Sequence, residues 1–178
     1  MKKLIALALV ASFVLAACGA SQQPTSASNS EQPNAPKPTK VLPDSATFNP
    51  EHLAKLLEGV DAWNAWRTQN ASVKPDLTRA DLPKHNLADF DFTSANLIKA
   101  NLSNANLSRA ILRGANLTGA NLSGARFKNA KLINTRLAGA DLSGADLTGA
   151  KLTGATYDAA TIWPTGFDPV AAGATLEQ

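Results

Sequence analysis

Few side chains in this chain are suited to chemistry, and their spacing does not assemble a reaction centre. There is one cysteine, Cys18, and two histidines, His52 and His85. Zinc sites draw Cys, His or carboxylate ligands from short characteristic spacings. Neither histidine has such a companion, so no metal and no cofactor are expected. Serines and aspartates are abundant, but they recur at fixed intervals, whereas a catalytic triad is recognised by convergence on one point. Glycines follow Thr or Ser in short corners, as at Thr118-Gly119 and Ser123-Gly124, and form no strand–loop–helix phosphate motif. The expectation is a protein that is not an enzyme. Two features remain as candidates: Cys18 for covalent modification, and a cationic set, Arg109, Arg113, Arg126, Lys128, Lys131 and Lys151 with Ile111 and Ile133, for binding.

The element that must position the cationic set is a five-residue beat running from residue 75 to residue 157. Leu77, Leu82, Leu87, Phe92 and Leu97 open a series of large apolar residues that continues at every fifth position to Leu152 and Tyr157. Two residues before most of them stands alanine, with Pro75, His85, Phe90 and Thr135 in its place. Five residues overshoot a helical turn of 3.6 by more than a third of a turn, so a helix would smear this stripe around its axis. In an extended segment, residues two apart share a face. Alanine and leucine therefore point inward, and the last two residues of each unit turn a corner with residues such as Thr118-Gly119 or with Asn104, Asn129 and Asn134. A fixed period of this kind reads as a solenoid. Stacked coils would lie about 4.8 Å apart, and parallel crossovers favour a right-handed path. Spacing alone leaves open whether three or four sides close a coil.

Runs such as Ala115-Asn116-Leu117-Thr118-Gly119 and Ala140-Asp141-Leu142-Ser143-Gly144 resemble the A(D/N)LXX signature of pentapeptide-repeat proteins. The resemblance implies an all-β solenoid, a right-handed quadrilateral parallel β-helix with four pentapeptides per coil. Seventeen pentapeptides then make about four coils, a rod roughly 20 Å tall. His85, as an alanine substitute, is expected to point inward in a wide first coil.

Open backbone edges at the two ends of such a rod need covering. Residues 48–74 read as a short helical N-terminal cap, with Asn49 as N-cap, Pro50 at the first helical position and Phe48 placed to staple onto Leu53. Leu53, Leu56, Leu57, Val60, Trp63 and Trp66 share one face, broken at Gly59. Residues 158–178 read as a C-terminal cap in which Ile162, Trp163, Phe167 and Val170 form an irregular apolar lid.

Residues 1–17 read as a secretory signal: Lys2 and Lys3, an apolar run, then small residues. Leu15-Ala16-Ala17-Cys18 resembles the lipobox of bacterial lipoproteins, which implies a diacylated Cys18 at the mature amino terminus, with palmitate-type chains in the bilayer. Several acyl chains anchor stably where one does not. Gly19 resembles the sorting pattern for the outer membrane of a diderm bacterium, placing the protein on its periplasmic face or at the cell surface. Residues 18–47 form the lipidated N terminus and a Ser-, Gln- and Pro-rich linker expected to stay disordered.

The formal charge of +3 includes Lys2 and Lys3, and without them 15 basic face 14 acidic side chains. No nucleic-acid partner is expected from a net charge so near zero. Wound four to a coil, Arg126 and Lys128 lie above Asn106 and Arg109, while Lys131 and Ile133 lie above Ile111 and Arg113 and below Lys151. Two adjoining faces thus gather six cations and two exposed isoleucines, suited to an envelope protein or an anionic polymer. Solvation of a solenoid wall accounts for the same residues without a ligand. The leading expectation is a membrane-anchored lipoprotein that presents a non-catalytic protein-interaction or scaffold module in the cell envelope; the alternative is a purely structural spacer. Some members of the resembled family mimic the DNA duplex and act on type II topoisomerases such as DNA gyrase. That mechanism wants a long acidic rod, and here ten basic side chains outnumber six acidic ones between residues 75 and 157.

Overall fold

The computed structural model describes residues 48–177. The signal sequence, Cys18 and the linker lie outside the described residues.

The winding is set by pairing between residues twenty apart. Asp76 bridges Asn96, Asn96 bridges Asn116, Asn116 bridges Arg136 and Arg136 bridges Thr156, all parallel. Three other columns run the same way, through Asp81–Asn101–Asn121–Asp141, Asn86–Asn106–Arg126–Asp146 and Asp91–Ile111–Lys131–Lys151. Twenty residues per coil with one bridge every five gives four sides. At each side the outward residue donates to the coil below and accepts from it: Asn116 N–H reaches Ala95 O at 2.9 Å, and Leu97 N–H reaches Asn116 O at 2.8 Å.

The signature residues have separate physical jobs. Leucine and alanine fill the interior, and Leu97, Leu117 and Leu137 form one fully buried column. The Asn or Asp side chain serves the backbone: Asn116 Oδ1 accepts from Thr118 N at 3.1 Å and from the Thr118 hydroxyl at 2.6 Å. Asp91, Asn106 and Asn121 repeat the motif with Thr93, Ser108 and Ser123. A short side chain with an acceptor two residues before an N–H closes this turn, so Asn and Asp suit the position.

At each corner the alanine N–H donates back to the leucine carbonyl three residues earlier, as for Ala120 and Leu117 at 3.0 Å. The residue before the alanine takes a positive φ, between 55° and 69° at every fifth position from Arg79 to Gly154. A closed turn with positive φ at its third residue is the type II arrangement, which favours Gly or Asn there. The later corners mostly follow that preference, while Arg79, Lys84, Asp89, Ser94, Lys99 and Arg109 hold the strained conformation with ordinary side chains. Lys99→Gly is therefore expected to stabilise the fold by roughly 0.5–1 kcal/mol, read as a higher denaturant midpoint at unchanged slope.

Two helices precede the coil, α1 (Pro50–Leu57) and α2 (Val60–Gln69). Asn49 Oδ1 accepts from the N–H groups of Glu51 and His52, Pro50 opens α1, and Gly59 at φ 105° separates the two. The helices lie on two sides of the first coil and supply partners to its open edge. Asn49 N donates to Asp76 O at 2.9 Å, and Asp76 N donates to His52 Nδ1 at 2.9 Å. Trp63 Nε1 donates to Asp91 O at 2.8 Å, and Asn64 Oδ1 accepts from Asp91 N at 2.9 Å. Arg67, only 4% exposed, donates to Val73 O at 2.6 Å and to Thr93 O at 3.0 Å.

Two sequence expectations need correction here. Leu57 is 58% exposed and does not share the buried face of Leu56 and Trp63; α1 ends at this residue, and Gly59 redirects the chain before another turn can cover it. His85 is exposed, with Nδ1 3.1 Å from Pro83 O. It lies beyond the sides that the helices cover, and an imidazole is better hydrated than buried there. Phe90, the other large alanine substitute, does turn inward, because α2 brings Trp63 over it and Phe92 stacks beside it at 5.8 Å.

After Tyr157 the register slips. Asp141 pairs with Ile162, twenty-one residues on, and β1 (Thr156–Tyr157) pairs with β2 (Thr175–Leu176), nineteen residues on. Trp163 stacks on Phe167 at 5.3 Å and meets Tyr157 edge-on at 5.4 Å, all three packing against the core. Ile162 and Val170, expected in the same lid, are 53% and 65% exposed. Ile162 occupies the outward position of a rung, and Val170 sits in the turn that returns the chain to the coil.

Candidate functional site

Each residue of the predicted cationic set is an outward or corner residue whose backbone is fixed by the ladder. Arg126 stacks between Asn106 and Asp146, and Lys131 stacks between Ile111 and Lys151. Lys128 and Arg113 stand one position beyond the buried Phe127 and Leu112, exposed on their two sides. The eight residues thus occupy two adjoining faces. Ile111 and Ile133 are half-buried rather than exposed, because the flanking rungs of a tightly stacked wall cover much of each side chain.

The electrostatics of the two faces differ. Arg109 is held by Asp89 one coil below, Nε to Oδ1 at 2.7 Å and Nη2 to Oδ2 at 2.6 Å. The Arg109 hydrogen bond holds the Asp89 carboxyl below its ordinary range. Asp146 sits above Arg126, its carboxyl also held low, first by hydrogen bonds from Thr148 and then by the fields of Lys128 and Arg126. Carboxylates therefore offset the cations on the Asn106–Arg126 face. On the Ile111–Lys131 face, Arg113, Lys131 and Lys151 meet no ion-pair partner among the described residues. A cleft of about 360 Å³ adjoins the first face at the C-terminal end, lined by Ala145, Asp146, Leu147, Thr148 and Pro164 to Phe167.

Sequence reasoning missed the working side chains of α2. Asn64 and Arg67 reach backbone groups of the first coil from one helical face, and the signal was their spacing beside Trp63, at i+1 and i+4. Among the described residues no group of three or more His, Cys, Asp or Glu is placed to hold a metal ion. No described helix is long and apolar enough to cross a membrane.

A four-sided parallel solenoid with an Asn or Asp and a leucine in most of its units defines a class of protein before any comparison is made. The family model for pentapeptide repeats matches in eight copies, over residues 76–109, 91–129 and 120–156. A pentapeptide repeat protein from Nostoc Pcc 7120, known from its crystal structure, is 38% identical; the match covers 64% of this chain and 94% of that one, with a TM-score of 0.59. One from Cyanothece 51142 is 41% identical over 51% of this chain and 66% of its own, with a TM-score of 0.45. QnrB1, a plasmid-mediated fluoroquinolone resistance protein, is 20% identical over 61% of this chain and 69% of its own, with a TM-score of 0.26. No curated protein matches. The chain belongs to the pentapeptide repeat family, and its solenoid is the right-handed quadrilateral β-helix of that family. Members are generally non-enzymatic structural or interaction proteins.

Proposed function

We propose that this chain is an exported bacterial lipoprotein, acylated on Cys18, that presents its β-helix as a non-catalytic protein-interaction or scaffold module in the cell envelope. The observation that carries this reading is Leu15-Ala16-Ala17-Cys18 directly behind an apolar run, with Cys18 the only cysteine in the chain. In this reading the 30 residues from 18 to 47 tether a rod of about four coils, closed at its first coil by a cap formed from α1 and α2. In a diderm bacterium, Gly19 favours the outer membrane, on the periplasmic face or at the cell surface. The working surface is the pair of faces carrying Arg109, Arg113, Arg126, Lys128, Lys131 and Lys151 with Ile111 and Ile133. Its partner is an envelope protein of acidic surface, attracted by the uncompensated cations of the Ile111–Lys131 face.

Metabolic labelling with an alkyne fatty acid, followed by membrane fractionation, tests the anchor. The wild-type chain is expected to take up label and sediment with membranes, and Cys18→Ser is expected to lose the label and to keep the apolar segment of residues 4–14, read as a larger mass. An unlabelled wild type, or a Cys18→Ser chain that still takes up label, overturns the lipoprotein reading.

A further inference from the structure

A second polar surface lies around a different corner of the coil, where the Ile111–Lys131 side turns into the Asn96–Asn116 side. Here a groove of about 340 Å³ is lined by Lys74, Ser94, Asn96, Gly114, Asn116 and Arg136. Its concavity follows from the sequence. At the groove the corner carries the small residues Ser94 and Gly114, where a methyl group on Gly114 would still sit 3.8 Å from Ser94 Oγ. Beside that corner the outward column holds two short amides, Asn96 and Asn116, in successive rungs. The long side chains of Lys74 and Arg136 flank this low stretch.

The polar atoms of the groove are one-sided. Asn116 Oδ1 is taken by Thr118 N and Oγ1, and Asn96 Oδ1 by Ile98 N at 3.3 Å. Both oxygens are therefore turned to the backbone, which leaves the amide NH2 groups as the atoms offered to the groove. Neither NH2 group has a partner among the described residues, and neither the Lys74 ammonium nor the Arg136 guanidinium forms an ion pair there. No carboxylate lines the groove. Asp76, one rung below Asn96, keeps Oδ1 on Thr78 N and Oγ1 at 3.1 and 2.6 Å. The result is a row of donors and cations with rungs about 4.8 Å apart, and no acceptor of matching charge.

We propose that this groove binds an extended oxyanionic chain, a polymer carrying carboxylates or phosphates in series. A single small ion would engage one end only, whereas Asn96, Asn116 and Arg136 are spread over about 10 Å along the rod axis. Guanidinium and ammonium groups both pair with such oxygens, the former through two parallel N–H bonds. Arg113, Lys131 and Lys151 on the adjoining side raise the local positive potential and draw the same ligand inward. The site is separate from Arg126 and Lys128 and does not depend on acylation of Cys18.

The test is calorimetric titration of the detergent-solubilised full-length chain with inorganic tripolyphosphate and, separately, with an oligogalacturonate, at about 50 mM and about 300 mM salt. Saturable, salt-weakened binding is expected for at least one of them. Lys74→Gln with Arg136→Gln should weaken it by about tenfold or more, and Ser94→Glu, which sets a carboxylate on the groove floor, should abolish it. Arg126→Gln with Lys128→Gln should leave it within about twofold, since those side chains stand on another side of the coil and do not line the groove. Thermal midpoints identify any variant whose loss comes from unfolding. Binding of tripolyphosphate alone assigns the site to phosphate chains, and binding of the oligogalacturonate alone assigns it to acidic glycans. Absence of saturable binding to both probes, or equal weakening by the two double variants, overturns the proposal.

Discussion

Leu117→Ala is expected to destabilise the fold by about 2–5 kcal/mol. Leu117 is fully buried, and in its column Leu97 lies below and Leu137 above, both also fully buried. Truncation removes the transfer free energy of the lost carbons and leaves a void that the two neighbours cannot fill. They are held by ladder hydrogen bonds on both sides of the rung, Leu117 N to Arg136 O at 2.8 Å and Leu97 N to Asn116 O at 2.8 Å. In a solenoid each coil is stabilised chiefly by its neighbours, so a break in the middle weakens two coil interfaces at once. Chemical denaturation followed by far-ultraviolet circular dichroism measures it. A loss below about 1 kcal/mol would mean that the column relaxes, against the close packing described here.

The second large effect is expected at Arg67. Its guanidinium donates to Val73 O and Thr93 O, with a longer contact to Asn70 O at 3.4 Å, and it lies 5.8 Å from the Trp66 ring centroid. Arg67→Ala strands the Val73 and Thr93 carbonyls, which no other described group reaches, and opens the packing between α2 and the first coil. Hydrogen bonds to a charged group contribute about 1.5–3 kcal/mol each, and part of that returns as water enters, so a net loss of about 2–4 kcal/mol is expected. Arg67→Lys should recover little of it, because an ammonium cannot span two carbonyls as a planar fork does. Thermal unfolding of the two variants beside wild type decides the matter; a lysine variant as stable as wild type would show that only the charge is needed.

The interior of this fold was readable because it is local and periodic. One alternation of alanine and leucine, repeated at period five, specifies an inward face and a corner, and the A(D/N)LXX resemblance adds the fourth side that spacing left open. The ends were less readable because they are tertiary. His85 and Phe90 make the same kind of substitution in the repeat, yet one faces water and the other is buried. The difference lies in α2, whose Trp63 covers one of them. Leu57 belongs to an apolar pattern and ends up exposed because its helix stops there. The cationic set stands on two adjoining faces, with Ile111 and Ile133 half-buried where exposure was expected, and the pairing of Arg109 with Asp89 was not foreseen. Its separation of twenty residues is one full coil, a distance that becomes legible only once the coil length is known. Arg67 was marked only by its spacing from Trp63, at i+4, and its partners, carbonyls of the open edge, have no mark in the sequence.

The measurement that bears most directly on the scaffold reading is chemical crosslinking in intact cells, followed by purification of the full-length protein and mass spectrometry. Wild type is compared with the chain carrying Arg126→Glu, Lys128→Glu and Lys131→Glu, outward positions whose reversal leaves the buried columns untouched. The account predicts at least one envelope protein crosslinked in stoichiometric amount by wild type and lost from the variant, with both chains equally abundant and membrane-bound. An identical, diffuse set of neighbours for the two chains would contradict it and leave a rod that only occupies space.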